Sequence, residues 1–292
     1  MSSQHPARLD VGVVGCGRVG SVLGAALIAA GHRVVAASGR GEDSRDRAAA
    51  LLQAPVRECE DVVARSELVL LTPPARELCA LVERLRDAFR PGQIVLHTHP
   101  RFGIGLLADI PHILPIALHP ATRFTGTRSD LARLQVSRAA VTARGEHRAV
   151  AEALAVEMGA EPFWVDEQGR AGYAAAIALL GDHLHGLFEV GVARLRESGV
   201  EQAPAVLAGY LQASADVVAS RAAHPHGAAE TGDAPGLASD IAALAGGHPD
   251  ARPAYRDGAR VALATALRRG EVIDLRDDAV FDTLRSPEGE SG

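Results

Sequence analysis

Lysine and asparagine are missing from this 292-residue chain: the thirty positions counted as Lys plus Arg are all arginine. Without lysine there is no Schiff-base chemistry and no catalytic ammonium group, so any proton donor must be His, Asp, Glu, Tyr, Cys or a hydroxyl. Both missing residues use AT-rich codons, and the Ala- and Arg-heavy composition points to a GC-rich genome. Cysteine is scarce: Cys16, Cys59 and Cys79 are scattered and odd in number, which indicates neither a disulfide framework nor a zinc knuckle. Basic excess is also absent. A net charge of −6, a pI near 6.1 and no Lys/Arg-rich run argue against a nucleic-acid partner. The first residues, Met1 to Arg8, lack the apolar core of a signal peptide, and no apolar stretch approaches membrane-spanning length. A cytoplasmic protein with no membrane partner is the expectation.

What is present begins with Val11-Gly-Val-Val-Gly-Cys-Gly-Arg-Val-Gly20. An apolar strand runs into Gly15-x-Gly17-x-x-Gly20, a helical stretch from Ser21 to Ala30 follows, and a second apolar strand spans Arg33 to Ala37. In that context Gly15 permits the tight turn, Gly17 lets backbone approach a pyrophosphate, and Gly20 lets helix and strand pack together. The loop residues Cys16, Arg18 and Val19 would present the helix N-terminus to the phosphates. The chain is therefore expected to bind a dinucleotide.

NAD-specific sites place an acid at the end of the second strand to hold the ribose 2′-OH. Here that position reads Ser38-Gly39-Arg40, with Arg45 as a further contact, while Glu42 and Asp43 resemble the start of the next helix. A hydroxyl plus a guanidinium suits a 2′-phosphate, because Arg forks two charge-assisted hydrogen bonds onto phosphate oxygens. NADP(H) is the expected cofactor.

Short apolar runs alternate with helix-period segments up to about Val165, the pattern of a parallel sheet covered on both faces. Strands are expected at Glu67 to Leu71, Gln93 to His97, His112 to His119, Val136 to Thr142 and Glu161 to Val165. Helices are expected at Ser44 to Gln53, Ala75 to Phe89 and His147 to Met158. Beyond Asp166 the texture becomes helical. A long, largely apolar helix spans Gly169 to Glu197, and others span Ala203 to Ala223, Leu237 to Leu244 and Pro253 to Arg268. Residues His224 to Gly236 read as a loop, and Ser286 to Gly292 as a disordered tail. The fold class is α/β: a Rossmann-type parallel sheet domain at 1–165 followed by an all-helical domain at 166–292.

In an open α/β sheet the ligand lies outside the carboxyl ends of the strands. That rule gathers Thr72-Pro73-Pro74, His97-Thr98-His99 and His119-Pro120 beside the glycine turn, with His97 and His119 as polar groups near a nicotinamide. The spacing of His97, His99, His112 and His119 matches no zinc pattern, so no metal is expected. Asp182 interrupts an otherwise apolar helix. On a buried helix its carboxylate would be either paired or raised in pKa and suited to donating a proton.

The motifs Gly15-Cys-Gly-Arg-Val-Gly20, Leu68-Val-Leu-Leu71, His97-Thr98, Leu118-His-Pro120 with Phe124, and Met158-Gly-x-Glu-Pro-Phe163 resemble one family. Its members join a Rossmann-like domain to a C-terminal domain of unknown function 2520. They are common in actinobacteria and related to pyrroline-5-carboxylate reductases and imine reductases. Tyr173 matches the tyrosine that opens the family's long helix. The departures lie at His99-Pro100 where the family has Ser-Gly, at Ala174 where it has His, and at Asp182 where it has Asn. The family's late Thr-Gly-Pro motif survives only as Thr231-Gly232.

The resemblance implies a reductase of a C=N or C=O bond in a small-molecule substrate, and a homodimer paired through its helical domains. Asp182 would be the proton donor, by similarity to the Asp of imine reductases at this place, with His119 and Tyr173 lining the pocket. The missing lysine fits that pattern better than the Lys of hydroxyacid dehydrogenases. Two rivals stay open: a non-catalytic NADP(H)-binding sensor, and a 2-keto acid reductase using His119 as its acid.

Overall fold

The computed structural model describes residues 8–220, 227–270 and 279–285. The chain divides into two compact units, Met1–Ala178 and Leu179–Gly292.

The first unit is built on strands β1 (Asp10–Val14), β2 (Arg33–Ser38), β3 (Leu68–Leu71), β4 (Ile94–His97), β5 (Leu114–Pro120), β6 (Arg138–Ala143) and β7 (Glu161–Trp164). They form one seven-stranded sheet in the order β2-β1-β3-β4-β5-β6-β7. Around it lie helices α1 (Arg18–Ala29), α2 (Glu42–Leu51), α3 (Cys59–Arg65), α4 (Ala75–Leu85), α5 (Asp130–Gln135) and α6 (Arg148–Glu157). Successive strand residues point to opposite faces, so a strand apolar at every position fills two cores. Val11 and Val13, Leu68 and Leu70, and Leu96 pack with Leu23 and Leu27 of α1 and Leu154 of α6. Their neighbours Val14, Val69, Leu71 and Val95 pack with Val62 of α3 and Leu78, Val82 and Leu85 of α4.

The sheet differs from an all-parallel expectation at one ladder. Strands β5 and β6 run antiparallel, with Leu118 opposite Val141 and His119 opposite Ala140. The segment between them carries only the six-residue α5, and Ala121 N–H bonds Arg138 O to close the ladder directly. Helices α3 and α5 were not anticipated. Each spans two turns or fewer and buries two residues, too few for a helical period to show.

Helix α7 (Arg170–Glu197) runs continuously from the first unit into the second. The unit boundary therefore falls inside this helix rather than at 165/166, because its first turns belong with the sheet. The second unit holds α8 (Ala203–Ala219), α9 (Ala228–Thr231), α10 (Ala234–Ala243), α11 (Ala251–Arg269) and α12 (Ala279–Arg285). Its core gathers Ala229, Leu237, Ile241, Leu263, Val280 and Leu284.

The loop expected over His224 to Gly236 is corrected from Gly227 onward. Glu230 accepts from Gly227 N–H and Asp233 accepts from Gly236 N–H, so two helix starts are capped within an Ala/Gly/Pro-rich stretch. Residues 224–226 and the expected tail at 286–292 lie outside the described residues.

Two expectations about α7 are also corrected. With its preceding turn, Glu167–Glu197, this helix is long and apolar enough to cross a membrane by length and composition. Asp182, His183, His185 and Glu189 interrupt the apolar run of that helix without shortening it. Nor is it buried in the single chain: Leu179, Leu180 and Leu187 are 62%, 71% and 51% exposed, and Asp182 is exposed with them. The desolvation argument for Asp182 therefore does not apply within one protomer.

Candidate functional site

The site starts at the carboxyl ends of β1 and β3, where the strand order reverses direction. Gly15 takes φ +102°, and an added Cβ there would lie 2.9 Å from the Thr72 carbonyl. The N–H groups of Gly15 and Cys16 both donate to Ser38 O, at 3.1 and 2.8 Å, tying the turn to the end of β2. Thr72 completes it by donating its hydroxyl to Gly15 O at 2.6 Å. Gly20 packs so tightly that a Cβ would fall 2.3 Å from both Gly15 O and Thr72 Oγ1. Gly17 differs: a Cβ there would meet nothing within 4 Å. This glycine faces open space, as an approach point for a pyrophosphate requires. Helix α1 begins with no side-chain cap, so the first-turn N–H groups of Arg18, Val19 and Gly20 are left to a ligand.

A cavity of about 850 Å³ extends from Gly15 past Ser38, Gly39, Arg40 and Arg45 to the start of α4. Arg57, Arg76 and Arg84 also line it, against Glu58, Asp61 and Glu77. Arg40 projects into solvent and pairs with Glu77. Ser38 is buried, and its hydroxyl accepts from Cys59 Sγ at 3.4 Å. Sequence reasoning missed Arg57, which arrives through an isolated bridge between Val56 and Ala37 of β2. It also missed Arg76 and Glu77, although both follow the Pro73-Pro74 strand end that the carboxyl-edge rule had singled out. Cys16 is buried inside the turn, and its thiol is pushed up to about 12 by loss of solvation.

A second cavity, of about 220 Å³, opens on the other side of Pro73. It is lined by Val19, Thr72, Thr98, His99, His119 and Phe124 among others, and Pro73 borders both cavities. Pro74 is exposed at the start of α4.

His97 and His119, expected alike, are placed differently. His97 is fully buried; its Nε2 bonds Gly103 O at 2.8 Å and its Nδ1 accepts from His99 N–H at 3.3 Å. It shapes the Thr98–Gly103 turn and does not reach the cavity, a correction to its expected place beside a nicotinamide. Burial pushes its pKa down to about 4.

His119, at the end of β5, lies on the cavity wall with Nδ1 2.7 Å from Tyr173 Oη. The rings meet edge to face at 5.6 Å, and Phe163 braces the tyrosine from behind. Burial first, and then the charge of Arg170, bring His119 down to about 4 and keep it neutral near pH 7. Burial raises the Tyr173 phenol. Asp182 lies farther along α7, in the second unit.

Comparisons with known proteins also divide the chain in two, but at an earlier point than its compact units. The Rossmann-like domain family matches residues 1–120, and the domain of unknown function DUF2520 matches residues 137–261. No curated protein matches the sequence. Among solved structures, the imine reductase from Pseudomonas sp. aligns over 96% of this chain and 100% of its own, with TM-score 0.62 and 18% identity. The 1-pyrroline-5-carboxylate reductase from Streptococcus pyogenes covers 95% and 98%, with TM-score 0.60 and 16% identity. The reductive aminase from Aspergillus terreus in complex with NADPH and ethyl levulinate covers 96% and 100%, with TM-score 0.64 and 16% identity. At these identities the likeness is one of fold. The chain belongs to the proteins that join a Rossmann-like domain to a DUF2520 domain.

Proposed function

We propose that this chain is an NADP(H)-dependent reductase acting on a C=N or C=O bond of a small molecule. The observation that carries the reading is Pro73, the shared wall between the arginine-lined cavity beside the glycine turn and the smaller pocket bearing His119. A dinucleotide whose pyrophosphate lies on Gly17 and the α1 N-terminus has its two ends directed to two such spaces. The 2′-phosphate end would meet Arg40, Arg45 and Arg57. The nicotinamide end would pass Thr72 and Pro73 toward Thr98 and His119.

NADPH, when bound, supplies the hydride. The chain's own residues exclude water, orient the substrate and deliver the proton. Asp182 is the proposed donor, on the strength of the imine-reductase resemblance; a carboxylic acid within about 3 Å of the substrate nitrogen delivers its proton as hydride reaches carbon. His119, neutral above about pH 4, contributes an N–H donor rather than an imidazolium acid, which weighs against the keto acid reading that relies on it. The apolar faces of α7 and α8, with Leu180 71% and Tyr210 73% exposed, support pairing of two chains as a homodimer.

The test is NADPH oxidation across a panel of cyclic imines and 2-keto acids, with Asp182→Ala alongside. Turnover of an imine that collapses in the variant while NADPH still binds supports the reading. Tight NADPH binding without turnover on any substrate replaces it with a non-catalytic NADP(H) sensor.

A further inference from the structure

Arg170 is 1% exposed, and among the described residues no carboxylate forms an ion pair with it. Its guanidinium reaches from the first turn of α7 into the antiparallel ladder. There Nε donates to Thr142 Oγ1 at 2.7 Å, and Nη2 donates to Ala117 O at 2.7 Å and to Ala140 O at 3.2 Å. Those two carbonyls bracket His119: Ala117 precedes it by two residues on β5, and Ala140 is its cross-strand partner. Tyr173, which bonds His119, stands one helical turn beyond Arg170. One side chain thus ties together the two strands and the helix that carry the His119–Tyr173 pair. The remaining Nη1 is buried beside that pair without a hydrogen-bond partner.

The other groups bearing on it are few. His99, from the turn after β4, repels a charge on His119 as Arg170 does. Glu167 favours the charge on Arg170, but its carboxylate is held by the N–H groups of Ile104 and Gly105. His97 is buried and bonded to Gly103.

We infer that Arg170 is a positioning residue that fixes Tyr173 as donor and His119 Nδ1 as acceptor, so that His119 offers its Nε2–H to the pocket as an uncharged donor. A phenol beside a cation is the better donor, and a neutral imidazole accepts at one nitrogen only when the other carries the proton. His119 Nε2 has no protein partner among the described residues, while the residue itself lines the pocket. A fixed neutral donor there selects a substrate with a hydrogen-bond acceptor, a carbonyl or a carboxylate oxygen, next to the bond to be reduced. That last clause rests on the reductase reading. The arrangement of the three side chains does not.

The experiment is a histidine 15N titration of the full-length protein, which reads tautomer and charge without substrate or cofactor. In the wild type, His119 is expected as the Nε2–H tautomer, uncharged down to about pH 5. In Arg170→Gln its titration moves up from about 4 toward 6.5 without reaching it, because burial, the larger cause, remains. Arg170→Lys, which keeps the charge, is expected to titrate close to wild type. Tyr173→Phe frees Nδ1 and yields mixed tautomers. A wild-type His119 that charges near 6.5, an Nδ1–H tautomer, or an unchanged titration in Arg170→Gln overturns the inference. If Arg170→Gln does not fold, the wild-type tautomer and the Tyr173→Phe mixture decide it alone.

Enzyme kinetics then separate the two readings. For a substrate bearing the acceptor, His119→Phe should raise KM by a factor at least tenfold larger than the factor by which it raises KM for an analogue lacking the acceptor. Equal effects on both substrates refute the selection. Absence of any turnover refutes the reductase and leaves the titration result standing.

Discussion

Lowering the pH from 7.5 to 4.5 should destabilise the sheet unit through His97 in particular. This side chain is fully buried, and its pKa lies at about 4 against an ordinary 6.5. Above 6.5 the folded and unfolded chains both carry it neutral, and its contribution to stability is fully present. Between 6.5 and about 4 the unfolded chain takes up a proton that the folded chain refuses, so stability falls as pH falls. Below about 4 both states are charged and the loss is complete. At about 1.4 kcal/mol for each tenfold change in proton affinity, the total loss is about 3 kcal/mol, of which about 2.5 kcal/mol is gone by pH 4.5.

The assay is urea unfolding followed by fluorescence of Trp164, the single tryptophan of the chain, which lies in β7 and so reports the sheet unit. His97→Gln should be less stable than wild type at pH 7.5 by about 1–2 kcal/mol, having lost one of two buried hydrogen bonds. Its pH profile should be flatter by about 2.5 kcal/mol, so the two stability curves cross and the variant is the more stable protein at pH 4.5 by about 0.5–1.5 kcal/mol. Parallel profiles for wild type and variant would refute the assignment of His97 as a residue folded neutral.

Gly17→Ala should fold with Tm lowered by only a few degrees, since its Cβ meets nothing within 4 Å. It should nonetheless weaken NADPH binding at least tenfold by calorimetry, because the methyl occupies the approach of the pyrophosphate. Gly20→Ala reverses that pattern. A Cβ 2.3 Å from Gly15 O and Thr72 Oγ1 should cost about 2–3 kcal/mol in unfolding before any cofactor is added. Arg40→Ala should weaken NADPH binding tenfold or more while leaving NADH binding nearly unchanged. Glu77→Gln, which releases Arg40 from its ion pair, should tighten NADPH binding several-fold in the same titration. Cys16, with its thiol pushed up to about 12, should resist iodoacetamide at pH 8 in the folded protein. The exposed Cys79 should react.

The glycine turn, the buried strands and the helical second half were legible because each is written in local chemistry. Leu68–Leu71 is apolar at every position since both sheet faces are covered. Gly15 must be glycine since its φ is +102°, and Gly20 since the helix lies against the turn. The absent lysine likewise fixed, before any fold, which donors the chemistry could use. The short helices α3 and α5 escaped because they bury too few residues for a period to emerge. The starts of α9 and α10 escaped because their caps sit in a stretch whose composition reads as loop.

What tertiary structure alone decided is which of several similar side chains meets which. His97 and His119 end neighbouring strands and read alike. Burial and two hydrogen bonds make one of them a scaffold, while the other reaches the pocket and Tyr173, 54 residues away. Arg170 has no sequence signal, since an arginine at a helix start is ordinarily solvated. It is buried only because the antiparallel turn of β5 into β6 opens three acceptors, Thr142 Oγ1 and the carbonyls of Ala117 and Ala140, to one guanidinium. Local sequence sets the backbone a segment prefers. The partners that give a polar side chain its charge and its role come from segments far along the chain, and only folding brings them together.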